Sequence, residues 1–90
     1  MPTDNEMRFD CVISAGELDP NCYGHYLDNE MRTHEVVKHN VTEREAQEWR
    51  CSYECMEKVW QLETKAKETL TKERWYRYKV SYYYTRASKD

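Results

Sequence analysis

A capping box at Thr42-Glu43-Arg44-Glu45 opens the one long helical pattern in the chain, and every other element has to fit around it. The threonine oxygen can accept from the Glu45 amide while Glu45 reaches back, which satisfies two donors that a helix start leaves bare. Val41 and Ala46 hold the two staple positions on either side of the cap. Behind it, Ala46, Trp49, Tyr53, Met56 and Trp60 recur at steps of three and four, so they share one helix stripe. That stripe is expected to bury its aromatics against the fold. A second stripe of Cys55, Val59, Leu62, Ala66 and Leu70 is rotated from the first by roughly 110°. The spacing therefore predicts a helix over 42–70 that either bends near 61–63 or breaks into two. Unbroken, it would be about 40 Å long, more than a domain of this size covers. Its second half is then a place for a partner, at Leu62, Ala66 and Leu70.

The flanking segments read as strands. Met7, Phe9, Cys11 and Ile13 alternate with Arg8 and Asp10, a half-buried strand that Ala15-Gly16 is expected to end. Residues 17–30 form a loop with Pro20 and Gly24, and residues 31–39 favour a second strand through Thr33, Val36 and Val37. Residues 73–86 read as a closing strand. Tyr76, Tyr78, Val80, Tyr82 and Tyr84 would face one side, with Trp75, Arg77, Lys79, Ser81, Tyr83 and Thr85 on the other. The expected fold is α+β in β-β-α-β order, one long helix laid on a three-stranded sheet, antiparallel or mixed. Its 90 residues make a single domain, with 1–5 and 87–90 expected to fray.

Charge is unevenly distributed. Residues 1–30 set seven acids against Arg8 alone, whereas residues 71–90 set six bases against Glu73 and Asp90. Paired terminal strands would bring these ends together. Alternatively, the basic tail meets phosphate, or the acidic end mimics a nucleic acid to occupy a basic groove on a host protein. Eight Tyr and three Trp supply bulk where Leu and Ile are few, and their polar tips favour half-buried rims of the kind found at binding surfaces. No apolar run reaches the length of a membrane span, and the first residues lack the pattern of a signal peptide, so the expected compartment is the cytoplasm with reduced thiols.

Two spacings suggest metal. The segment from Asp19 to Glu30 resembles a calcium-binding EF-hand loop, with Asp19, Asn21, Gly24 and Glu30 at its first, third, sixth and twelfth positions. The resemblance implies Ca²⁺ held by Asp19, Asn21 and Glu30. Tyr23 stands where that loop needs a small oxygen ligand, and a strand pattern precedes it where the family has a helix. Separately, Cys22-x-x-His25 and Cys51-x-x-x-Cys55 offer four ligand types suited to Zn²⁺. The bland alternative for each is an acidic turn and buried cysteines acting as small apolar groups. No cofactor is expected.

Catalytic machinery is not apparent: no nucleophile, base and orienting group can be picked out by spacing, and two glycines do not make a phosphate loop. The expected function is a small non-enzymatic module that binds a larger host or cellular protein, occluding or tethering it. Small accessory proteins of phages and mobile elements, inhibitors among them, often have this size and composition, an association that rests on no matched motif. Trp75, Arg77, Lys79 and Tyr83, together with Leu62, Ala66 and Leu70, are its expected contact residues. The alternatives are a nucleic-acid-binding module using the basic, aromatic closing strand and a metal-stabilised domain.

Overall fold

In the computed structural model, residues 7–21 and 24–87 are described. The α+β class holds. Three strands, β1 (Phe9–Glu17), β2 (Thr33–Val41) and β3 (Tyr78–Arg86), form one antiparallel sheet in the order β2-β1-β3. Between β2 and β3 the chain makes three helices, α1 (Glu43–Arg50), α2 (Tyr53–Thr69) and the short α3 (Lys72–Tyr76). The expected frayed residues 1–5 and 88–90 lie outside the described residues. Ala87 is tied down, donating its amide to the Arg8 carbonyl at 2.9 Å.

β1 does not stop at Ala15-Gly16. It runs on to Glu17, opposite Tyr78, because both its edges are hydrogen-bonded and the ladder with β3 is unbroken over all nine pairs. The β2 edge is less regular, with register shifts near Cys11. There Asn40 takes a positive φ of 59°, a conformation asparagine tolerates better than most residues, and its amide bonds Asp10 Oδ1 at 3.0 Å.

The capping box at Thr42 forms as its residues dictate, with reciprocal hydrogen bonds between Thr42 and Glu45. The helix that follows breaks at Cys51-Ser52, ten residues before the expected bend. Ser52 Oγ donates to the Trp49 carbonyl at 2.6 Å and accepts from the Cys55 amide at 3.2 Å, so one side chain closes α1 and caps α2. A serine that competes for helix hydrogen bonds in this way ends one helix and starts another.

The restart reverses the expected faces. Ala46 and Trp49 of α1 bury against Phe9, Cys11 and Ile13. From Ser52 onward it is the second stripe that turns inward: Cys55, Val59 and Leu62 join the same cluster, flanked by Val37, Val80, Tyr82 and Tyr84. Ala66 and Leu70 continue into a second, smaller cluster with Met31, Trp75 and Tyr78. That second core supports the far half of α2, so Leu62, Ala66 and Leu70 pack inside rather than standing ready for a partner. Lys58 bonds Glu35 at 2.9 Å and Lys38 approaches Glu54 at 3.8 Å, tying α2 to β2 rather than pairing Glu54 with Lys58 along the helix.

The expected closing strand begins five residues late. Thr71 Oγ1 accepts from the Arg74 amide at 3.3 Å and caps α3, so 72–76 are helical. From Tyr78 the alternation is as expected, with Val80, Tyr82 and Tyr84 on the core side. The Phe9 and Tyr84 rings meet edge to face at 5.4 Å, and Arg50 lies 5.6 Å over the Tyr82 ring.

Candidate functional site

Two surfaces stand out, on opposite sides of the molecule. The first is the outward stripe of α2. Tyr53, Met56 and Trp60 are 80%, 43% and 64% exposed, and with Glu57 they line a shallow depression. Each was expected in the core. They are outside because the break at Ser52 rotates α2, and the inward positions already hold Cys55, Val59, Leu62 and Ala66.

The second surface lies on the sheet face opposite the helices. Arg77, Lys79, Ser81 and Tyr83 line a groove of about 760 Å³ together with Ser14, Tyr26 and Tyr76. β3 presents Lys79, Ser81 and Tyr83 by simple alternation, as the pattern predicts. Leu18, Asp19, Pro20, Asn21, Gly24 and Tyr26 supply the other wall. Its ends are held by Leu27 N to Glu17 O at 2.7 Å and Asp19 N to His25 O at 2.8 Å, with Gly24 at φ 84° near the tip. Tyr26 packs against Gly16, where an added methyl would stand only 3.2 Å from the ring. Gly16 thus ends no strand but makes room for an aromatic wall. On the floor, Tyr26 OH and Ser81 Oγ share a 2.9 Å hydrogen bond, and Ser14 Oγ donates to Tyr83 OH at 3.3 Å.

Of the expected contact residues on the closing segment, Arg77, Lys79 and Tyr83 come together in this groove. Trp75 does not. It sits on α3, stacked on Tyr78 at 5.9 Å in the smaller core. Tyr76, expected inward, is 85% exposed on the groove rim. Arg77 carries the one buried side-chain polar atom among the described residues that lacks a hydrogen-bond partner, its Nε.

Beside the groove lies a buried ion pair. Glu17 is 1% exposed, and Arg74 grips it with both Nε and Nη2, at 3.0 and 2.7 Å. Asn29 Nδ2 adds a third donor at 2.9 Å. These bonds, Arg74's foremost, hold the Glu17 carboxyl below its ordinary range despite burial, and the same contact raises the Arg74 guanidinium further above its own. Glu30 touches Arg74 at 3.5 Å.

Asp19 Oδ1 accepts from the Asn21 amide at 2.8 Å, and Glu30 lies 3.5 Å from Arg74. Cys22 lies outside the described residues. Cys55 is buried in the main core while Cys51 is exposed, and among the described residues no group of three or more His, Cys, Asp or Glu gathers. Burial pushes the Cys11 and Cys55 thiols upward, so they stay protonated and pack as small apolar groups. No helix among the described residues is long and apolar enough to cross a membrane.

The α2 stripe was missed because nothing distinguished it from a core stripe except the Ser52 cap in mid-pattern. The roles of Tyr26 and Tyr76 in the groove were missed because a loop and a short helix bring them to β3 from outside its alternation. Comparisons with protein-family models, with curated proteins and with solved structures give no match for this chain.

Proposed function

We propose that this chain is a small, non-enzymatic protein-binding module that docks on a larger protein through the outer stripe of α2 and occludes or tethers it. The observation that carries this reading is the exposure of Tyr53, Met56 and Trp60 together on one helix face. Single exposed apolar residues are ordinary, but contiguous aromatics mark contact surfaces. Trp and Tyr lead the residues that dominate interface energetics, and Met adapts its shape to a partner. Spacing at i, i+3 and i+7 is how a helix enters an apolar groove on another protein.

The stripe is not needed to close the core, so it can be removed without unfolding the chain. Trp60→Ala and Tyr53→Ala are compared with the unaltered protein in affinity capture from cell extract, after circular dichroism has shown that all three fold alike. The expected result is a protein retained by the unaltered chain and lost from both variants. Capture of the same proteins by all three overturns the reading.

A further inference from the structure

We propose that the groove on the sheet face opposite the helices binds a nucleoside phosphate, one nucleotide at a time. This rests on different residues from the α2 stripe and stands or falls separately. The volume of about 760 Å³ lies within the roughly 300–1,000 Å³ of sites that take small ligands. Its lining divides into two chemistries. Tyr76 and Tyr83, 85% and 37% exposed as residues, bring aromatic rings to the groove, and a flat heterocycle stacks on such rings without needing a particular hydrogen-bond pattern. Arg77 and Lys79 offer positive charge beside them.

The cations point to phosphate rather than to a neutral ring. Arg77 lines the groove, and its guanidinium keeps unused hydrogen-bond donors, the buried Nε among them. A guanidinium matches phosphate oxygens in the plane of its fork, and the Lys79 ammonium adds a second charge. Neither is within ion-pair distance of a carboxylate among the described residues, although the Arg77 charge also helps to keep the nearby Glu17 carboxyl ionised. The acid lining the groove, Asp19, already accepts from the Asn21 amide. The hydroxyls of Tyr26, Ser81, Ser14 and Tyr83 form the polar floor on which a ribose can bond.

Charge also sets the length of the ligand. Affinity for a long polyanion grows with each phosphate a protein neutralises. This chain carries a net charge of −3, so it has no overall excess of positive charge to hold a long phosphate track. One nucleotide, free or at the end of a strand, suits the site better than a continuous track.

Isothermal titration of the full chain tests this with AMP, ribose 5-phosphate, inorganic phosphate, oligothymidylate and 5′-phosphorylated oligothymidylate. AMP is expected to bind, and the two ligands without a base to bind about tenfold or more weaker. Tyr76→Ala and Lys79→Ala, both at exposed positions, should each weaken AMP by about tenfold. Trp60→Ala should leave AMP binding unchanged while abolishing docking by α2, so the two readings fail independently. If the 5′-phosphorylated strand displaces AMP and the unphosphorylated one does not, a strand end is the source of the nucleotide. If neither displaces it, the source is the free nucleotide. The proposal is overturned if AMP does not bind at about 5 mM. It is equally overturned if inorganic phosphate binds as well as AMP, which is an adventitious ion only. Binding of AMP that ignores Tyr76→Ala and Lys79→Ala, or binding of oligothymidylate without AMP, overturns it too.

Discussion

Trp49 and Trp60 sit in the same run of sequence and do opposite jobs. Trp49 is 3% exposed, wedged with Ala46 against β1, whereas Trp60 keeps 64% of its surface in water. Truncating a buried tryptophan removes its transfer free energy and leaves a cavity as well. Trp49→Ala should therefore cost about 3–5 kcal/mol in urea denaturation. Trp60→Ala should cost less than about 0.5 kcal/mol, as surface changes away from caps and networks do. A loss at Trp60 as large as that at Trp49 would mean that the outer stripe is covered in the folded chain. At the cap, Thr42→Ala should cost about 1 kcal/mol, because the Glu45 amide loses its acceptor and the Thr42 hydroxyl its bond to Glu45.

At the scale of elements, the decisive event is the break at Ser52. The Thr42 cap, the stripe down to Trp49 and the alternation of β1 and β3 were legible in the sequence because each rests on neighbours within a few residues. The rotation between the two stripes was legible too, but its place was not. Apolar spacing reports that a face changes direction, while the hydrogen bonds of Ser52 mark where it does. The same holds at Thr71, whose cap turns an expected strand start into α3. The groove was half legible: alternation aligned Arg77, Lys79 and Tyr83, but Tyr26 and Tyr76 reach it through long-range packing that no local pattern encodes. Ser52→Ala should leave both helices in place, since merging them would turn Cys55 and Val59 out of the core. It should cost about 1 kcal/mol and speed amide exchange at Cys55, which loses its acceptor. Unchanged exchange there would show that packing alone sets the break.

For the whole molecule, the Glu17–Arg74 pair joins the end of β1 to a helix 57 positions further along the chain, with Asn29 and Glu30 drawing in the loop between β1 and β2. The ends of unlike charge do meet, because β1 and β3 pair along nine residues, and Arg74 adds ion pairs to Glu17 and Glu30. Burying Glu17 costs solvation, and three donated hydrogen bonds offset it. The sign of its pH dependence follows from the lowered pKa. The folded state holds Glu17 ionised more firmly than the unfolded state does, so its contribution is fully present above the ordinary glutamate value of 4.5 and is lost as pH falls through the lower folded value. Glu17→Gln keeps the shape and removes the charge. At pH 7 it should destabilise by about 2 kcal/mol, a figure discounted because the Arg74 side of the pair still touches water. Below pH 4 the gap between variant and parent should narrow, since the parent's own carboxyl is then becoming neutral. Urea denaturation of both proteins between pH 7 and 3 measures this directly. Parallel stability curves across that range would mean that Glu17 is not the group holding the two ends together.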